Sequence, residues 1–205
     1  MASKAPRYGG DQHLMSVVHR ILLRAFGRPQ GLLGRLGGII MARMNQQCAA
    51  WVIDLLDIQP HESVLEVGFG PGVGIQLLAR SASAGYVAGV DVSAEMVAQA
   101  TTRNAQAVES GRVEVRHGAV ERLPFADETF EKALAINSMQ VWRDAGAGLR
   151  EMRRVLKTGG SIALGFTPYA GQPKSGVPEQ LTAAGFTAAH VVETRVGFCA
   201  LAMKP

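Results

Sequence analysis

One stretch limits what this chain can fold into more than any other: Val64-Leu-Glu-Val-Gly-Phe-Gly-Pro-Gly-Val-Gly74. Residues 63–67 read as a short buried strand. Gly68, Gly70, Gly72 and Gly74 then alternate with other residues, and an apolar helix follows through Leu77, Leu78 and Ala79. A strand, a glycine-rich turn and a helix let backbone pass close to a ligand, because glycine has no Cβ and tolerates positive φ. The same arrangement aims the N–H groups of the helix N-terminus at that ligand. Many nucleotide-binding folds use such a turn, so alone it is unspecific. Two carboxylates sharpen it. Glu66 stands just before the first glycine, and Asp91 ends the next apolar run, Tyr86-Val-Ala-Gly-Val-Asp91. A carboxylate at the end of the second strand is where a nucleoside ribose presents its hydroxyls.

The 205 residues suit one domain with an appendage, and at 47% hydrophobic they can fill a core. The two cysteines, Cys48 and Cys199, lie in apolar stretches and read as reduced core thiols. No metal-ligand spacing is present, so no metal is expected. The N-terminus lacks the apolar stretch and cleavage site of a signal peptide, and no apolar run reaches the ~20 residues that span a bilayer. These features predict a cytoplasmic protein. The net charge of +4 is uneven: Lys4, Arg7, Arg20, Arg24, Arg28, Arg35 and Arg43 face only Asp11 up to Asn45, which leaves the remainder at −2. A basic lobe of this kind attracts anionic small molecules or an anionic membrane surface. No nucleic-acid-binding motif accompanies it.

Residues 1–10 read as disordered. A helical period runs from Asp11 to Phe26 and ends at Gly27-Arg-Pro29. A second amphipathic stretch carries Leu32, Leu33, Leu36, Ile39, Ile40 and Met44. Asn45 then reads as the N-cap of a third helix, Gln46 to Leu56. Beyond Pro60, strands alternate with helices, which predicts a parallel sheet. The strands are expected over 63–67, 86–91, 112–117, 130–136 and 161–166. Helices are expected over 73–80, 93–109 with Ser93 as N-cap, 141–156 and 178–184. Residues 186–193 and 196–203 read as an antiparallel hairpin, because so few residues separate them.

These pieces, in this order, resemble the class I S-adenosylmethionine-dependent methyltransferases, and among them the ubiquinone and menaquinone C-methyltransferase group. The residues that carry the likeness are Val64 to Gly72, Gly89-Val-Asp-Val-Ser93, Gly118-Ala-Val-Glu-Arg-Leu-Pro-Phe125, Asn137-Ser-Met-Gln140, Arg154-Val-Leu-Lys-Thr-Gly-Gly160 and Leu181-Thr-Ala-Ala-Gly-Phe186. The resemblance covers residues 46–205. It implies an α/β, Rossmann-like fold with a seven-stranded, mostly parallel sheet in the order 3-2-1-4-5-7-6, the last strand antiparallel. Residues 1–45 would form a basic helical lid beside a cofactor-binding domain of residues 46–205.

The resemblance also implies a site for S-adenosylmethionine. Gly68, Phe69, Gly70 and Gly72 would pass beneath the methionine and ribose. Glu66 would sit near the methionine ammonium, and Asp91 would take both ribose hydroxyls. Val92 and Met96 would pack on the adenine faces, and the backbone at Ala119 and Val120 would read the adenine edge. Leu123 and Phe125 would wall the pocket. Asn137 would offer its carbonyl to the ammonium. The family usually carries Asp where this chain has Ala119, so that acceptor is absent, and Glu121 or water could replace it. Gln140 stands where relatives often carry His, which removes a proton acceptor from the substrate side.

Methyl transfer asks mainly for positioning, with a general base needed only for a protonated nucleophile. Tyr169, after the fifth strand, and His19, in the lobe, are the candidate catalytic residues. Trp142 reads either as a substrate-facing aromatic or as an anchor for its helix. An apolar helical lid predicts a small, partly apolar or lipophilic acceptor, and its arginines favour an anionic group on it. Two other readings are a non-catalytic or membrane-associated cofactor-binding module and an NAD(P)-dependent oxidoreductase. The latter leaves Glu66 and the closing hairpin without a role.

Overall fold

The computed structural model describes residues 32–205, with side-chain surroundings from Arg43 onward. The expected helix over residues 11–26, and with it His19, lies outside the described residues. The compact unit is Met44–Pro205.

Helix α1 (Leu32–Leu55) leads into it. There follow β1 (Ser63–Val67), α2 (Val73–Ser81), β2 (Tyr86–Asp91), α3 (Ala94–Arg103), α4 (Ala105–Glu109) and β3 (Val113–His117). A 3-10 turn (Val120–Arg122) precedes β4 (Phe130–Ile136), and a second (Met139–Val141) precedes α5 (Ala145–Val155). The chain closes with β5 (Leu156–Phe166), α6 (Val177–Ala183), β6 (Thr187–Thr194) and β7 (Gly197–Met203). The sheet order is β3-β2-β1-β4-β5-β7-β6. All neighbours run parallel except β7, which is antiparallel to both β5 and β6. This is the architecture expected of the sequence.

The central strands are apolar runs because helices cover both faces of a parallel sheet. The pleat sends alternate residues to opposite sides. Leu65 and Val67 join Met152, Val155 and Leu181 in one core. Val64 joins Val52, Ile75, Leu78 and Leu134 in the other. Helix ends follow local chemistry. Ser93 Oγ accepts from Met96 N at 3.3 Å and caps α3. Asp144 Oδ1 accepts from Ala147 N at 2.9 Å and caps α5, whose last turn carries Arg153 and Arg154.

Four expectations are corrected. Asn45 is not an N-cap: α1 runs unbroken through it, and its side-chain Oδ1 accepts from Asn137 Nδ2 at 3.1 Å instead. The helix expected over 93–109 breaks into α3 and α4 at Asn104, whose buried Nδ2 donates to Gly72 O at 3.1 Å and Ala100 O at 2.9 Å. Helix α5 begins at Ala145, after a 3-10 turn, because Asp144 rather than a residue near Val141 supplies the cap. Strand β5 starts at Leu156, which pairs with Phe130 before a register shift. Gly159, at φ +77°, lies inside that irregularity rather than in a turn before the strand. At the outer border of the sheet, β6 carries its own register shift between Thr187 and His190, with Ala188 at φ +53°.

Candidate cofactor site

Strand order reverses at β1, which has β2 on one side and β4 on the other. In open α/β sheets the crevice for a ligand opens beyond the C-terminal ends of the strands at that reversal. The glycine turn leaves β1 there. Gly70 has φ +53°, and no atom stands within 4 Å of the place a Cβ would occupy. Its N–H donates to Asp91 Oδ2 at 2.9 Å, while Asp91 Oδ1 accepts from Ser93 N at 2.9 Å. A carboxylate oxygen has two lone pairs, so each oxygen of Asp91 keeps one. The turn and the tip of β2 thus form one unit with open space over Gly70 and two acceptors spare, which suits the vicinal hydroxyls of a ribose.

Glu66 is only 3% exposed, and its Oε2 has no hydrogen-bond partner. Its carboxylate packs against Gly74 at the start of α2, where a Cβ would collide with it. Burial, with the charge of Asp91 adding to it, pushes the Glu66 carboxyl up to about 8. A buried acceptor without a donor is costly, and a cationic group beside it would relieve that cost. An orphaned carboxyl, an open glycine shelf and a half-used carboxylate together fit a nucleoside that carries a cation.

The other glycines of the turn serve packing. A Cβ on Gly68 would meet Ser138. One on Gly72, at φ +82°, would lie 2.6 Å from Ala100 Cβ in α3. Phe69 turns inward, buried against Gly89 of β2, so its side chain belongs to the core while its carbonyl accepts from Gly72 N at 3.1 Å.

On the β2–β3 side, Val92 is 74% exposed directly after Asp91. Met96 is half-buried against the core. Ala119 is exposed, whereas the side chain of Val120 is buried among Gly148 and Trp142. Glu121 Oε1 accepts from Arg143 N at 3.0 Å and Asp144 N at 3.1 Å. One of its two oxygens therefore holds the loop before α5. His117 Nε2 bonds Val92 O at 2.9 Å. Leu123 and Phe125 pack in the core, Phe125 edge-on to Phe130 with Arg116 over its ring. Trp142 acts as an anchor: its Nε1 donates to Ser138 Oγ at 2.8 Å.

Asn137 ends β4 with φ +49°, a conformation that costs a non-glycine residue and persists only when neighbours hold it. Its Oδ1 accepts from Thr167 N at 2.8 Å and Thr167 Oγ1 at 3.2 Å, and its Nδ2 reaches Asn45. Its carbonyl accepts from Gln140 Nε2 at 2.8 Å. Tyr169 follows Thr167 on the tip of β5 and is 64% exposed. The structure thus brings Glu66, Gly70, Asp91 and Asn137 to the tips of three neighbouring strands. Asn104, Ser138 and Thr167 hold these parts together and were not singled out in the sequence. A polar residue within an apolar helical pattern was the available signal for Asn104. Away from the crevice, at the N-terminal ends of β4 and β5, a charged cleft of about 430 Å³ is lined by Asp127, Glu128, Arg150, Arg153, Arg154 and Lys204. Ion pairs link Arg154 to Asp127 and Lys204 to Glu128 there.

Comparison with known proteins agrees with this fold. Residues 64–160 match a family described as a methyltransferase domain. The chain is 30% identical to the uncharacterized methyltransferase YdaC of Bacillus subtilis (strain 168), over 83% of this chain and 98% of that protein. It is 28% identical to the ubiquinone/menaquinone biosynthesis C-methyltransferase UbiE of Geotalea daltonii, over 63% of this chain but only 55% of that protein. A solved SAM-dependent methyltransferase from Aquifex aeolicus superposes with a TM-score of 0.69, at 23% identity, over 77% of this chain and 89% of that one. The chain belongs to the class I S-adenosylmethionine-dependent methyltransferases. Among the described residues, no helix is long and apolar enough to cross a membrane.

Proposed function

We propose that the protein transfers a methyl group from S-adenosylmethionine to a small, partly apolar molecule, mainly by positioning. The observation that carries this reading is the coupled unit of Gly70 and Asp91, open above the glycine and joined by a 2.9 Å bond. Asp91 would take the ribose hydroxyls and Glu66 would compensate the cationic end. Val92 and Met96 would flank the adenine, whose edge would meet the backbone at Ala119 and Val120. The sulfonium supplies an electrophilic methyl carbon, so the chain need only align a nucleophile and exclude bulk water.

The apolar character of the acceptor is supported by Val141, 63% exposed, and Tyr169, which present large side chains at the tips of β4 and β5. Tyr169 and His19 are the candidate catalytic residues: the imidazole of His19 can take a proton from a hydroxyl or carbon-acid nucleophile, and the Tyr169 hydroxyl can hydrogen-bond and orient one. The likeness to a C-methyltransferase supports a carbon nucleophile. The basic N-terminal residues favour an anionic group on the acceptor.

Isothermal titration of the full chain tests the cofactor. S-adenosylmethionine and its demethylated product should bind, and NAD should not. Asp91→Ala should weaken the cofactor at least tenfold, since bonds to a charged group are worth about 1.5–3 kcal/mol. Unchanged affinity in that variant would sink the site assignment. Labelled donor incubated with a metabolite extract then identifies the acceptor.

A further inference from the structure

Among the described residues, two buried side-chain atoms lack a hydrogen-bond partner: Glu66 Oε2 and Gln140 Oε1. Both are acceptors. They belong to the two strands between which the sheet reverses, Glu66 to β1 and Gln140 to the 3-10 turn that follows β4. The carboxamide of Gln140 cannot be turned over, because its Nε2 donates to Asn137 O at 2.8 Å, and the opposite orientation would set two oxygens face to face. The free atom is therefore the oxygen. The turn is anchored beside the glycine shelf: Ser138 abuts Gly68, and Asn137 is fixed by Thr167 and Asn45.

We infer that Gln140 reads the amino-acid end of the cofactor, its Oε1 accepting an N–H from the methionine ammonium. This rests on the cofactor reading above. The ammonium is the part of the molecule that only donates, whereas ribose, adenine and carboxylate each bring acceptors that two acceptor atoms cannot serve. A neutral carboxamide adds a charge-assisted bond without placing a further negative charge near Glu66 and Asp91. Gln140 is a positioning residue: with the ammonium held at the tip of β4, the methyl group is presented in a fixed direction.

The test is a titration of the full chain with S-adenosylhomocysteine and with its analogue in which hydrogen replaces the α-amino group. The readout is the ratio of the two dissociation constants, which an inactive protein fraction does not alter. Gln140→Met, similar in shape but without the acceptor, should lose about tenfold of the preference for the amino ligand while binding the deaminated one as before. Gln140→Glu keeps an acceptor but loses the bond to Asn137 O and sets oxygen against oxygen there, so it should weaken both ligands while keeping more of the preference than Gln140→Met. Equal preference in Gln140→Met and the natural protein would overturn the inference. So would a preference in Gln140→Glu no greater than in Gln140→Met, which would assign the residue to its bond with Asn137 O. If the natural protein binds neither ligand, the cofactor reading itself falls.

Discussion

Glu66 is the residue in which burial and ligand chemistry conflict most. An unfolded glutamate titrates near 4.5, and the folded carboxyl is pushed up to about 8, first by burial and then by Asp91. Between those values the ligand-free folded state holds a proton that the unfolded state has released. Stability of the empty protein therefore falls as pH rises from about 4.5 to about 8, and levels off above. At ~1.4 kcal/mol per unit, the loss amounts to a few kcal/mol. Glu66→Gln should flatten that slope and raise the melting temperature of the empty protein at pH 9, measured by calorimetry. The same variant should bind S-adenosylmethionine more weakly. A steep, unchanged pH dependence in Glu66→Gln would assign the effect to other groups. Glu66 and Asp91 were legible in the sequence because their chemistry depends on position along a strand. Gln140 was visible only as a departure from relatives. Its free oxygen depends on which end of the amide Asn137 engages, and no spacing encodes that.

At the scale of elements, strands were read closely and helix boundaries less so. Strands β1, β2 and β4 are apolar runs with abrupt ends, and their limits were legible to the residue. Two of the misread boundaries share one cause, a polar side chain bonded to a distant segment. Asn45 bonds Asn137, and Asn104 bonds Gly72. Either asparagine suits a cap, and the choice is made by tertiary contacts that local pattern does not contain. The glycines of the turn divide in the same way. Gly72 carries the contact between α2 and α3, whereas Gly70 faces open space. Gly72→Ala should destabilise the fold by roughly 1–3 kcal/mol, from the left-handed backbone and the crowding against Ala100. Gly70→Ala carries the left-handed strain without the crowding, so it should cost less, and Gly70→Val should abolish cofactor binding. Chemical denaturation of the two alanine variants, with titration of Gly70→Val, separates the two roles. Equal loss of stability in both would contradict the division.

For the molecule as a whole, the strand order was legible through the family resemblance, and the alternation of strands and helices alone pointed to a parallel sheet. The basic N-terminal residues are proposed as a lid that completes the acceptor pocket. Removal of residues 1–44 should spare cofactor affinity and eliminate turnover of the acceptor once it is identified. A truncated protein with full activity would defeat the lid. The outer strand β6 has a consequence of a different kind. A regular border would offer an incoming chain an uninterrupted row of amides and carbonyls to zip onto. The slip between Thr187 and His190, with Ala188 twisted into a left-handed backbone, removes the matching rungs from that row. This flank is therefore a poor template for fibrils, even in a crowded solution.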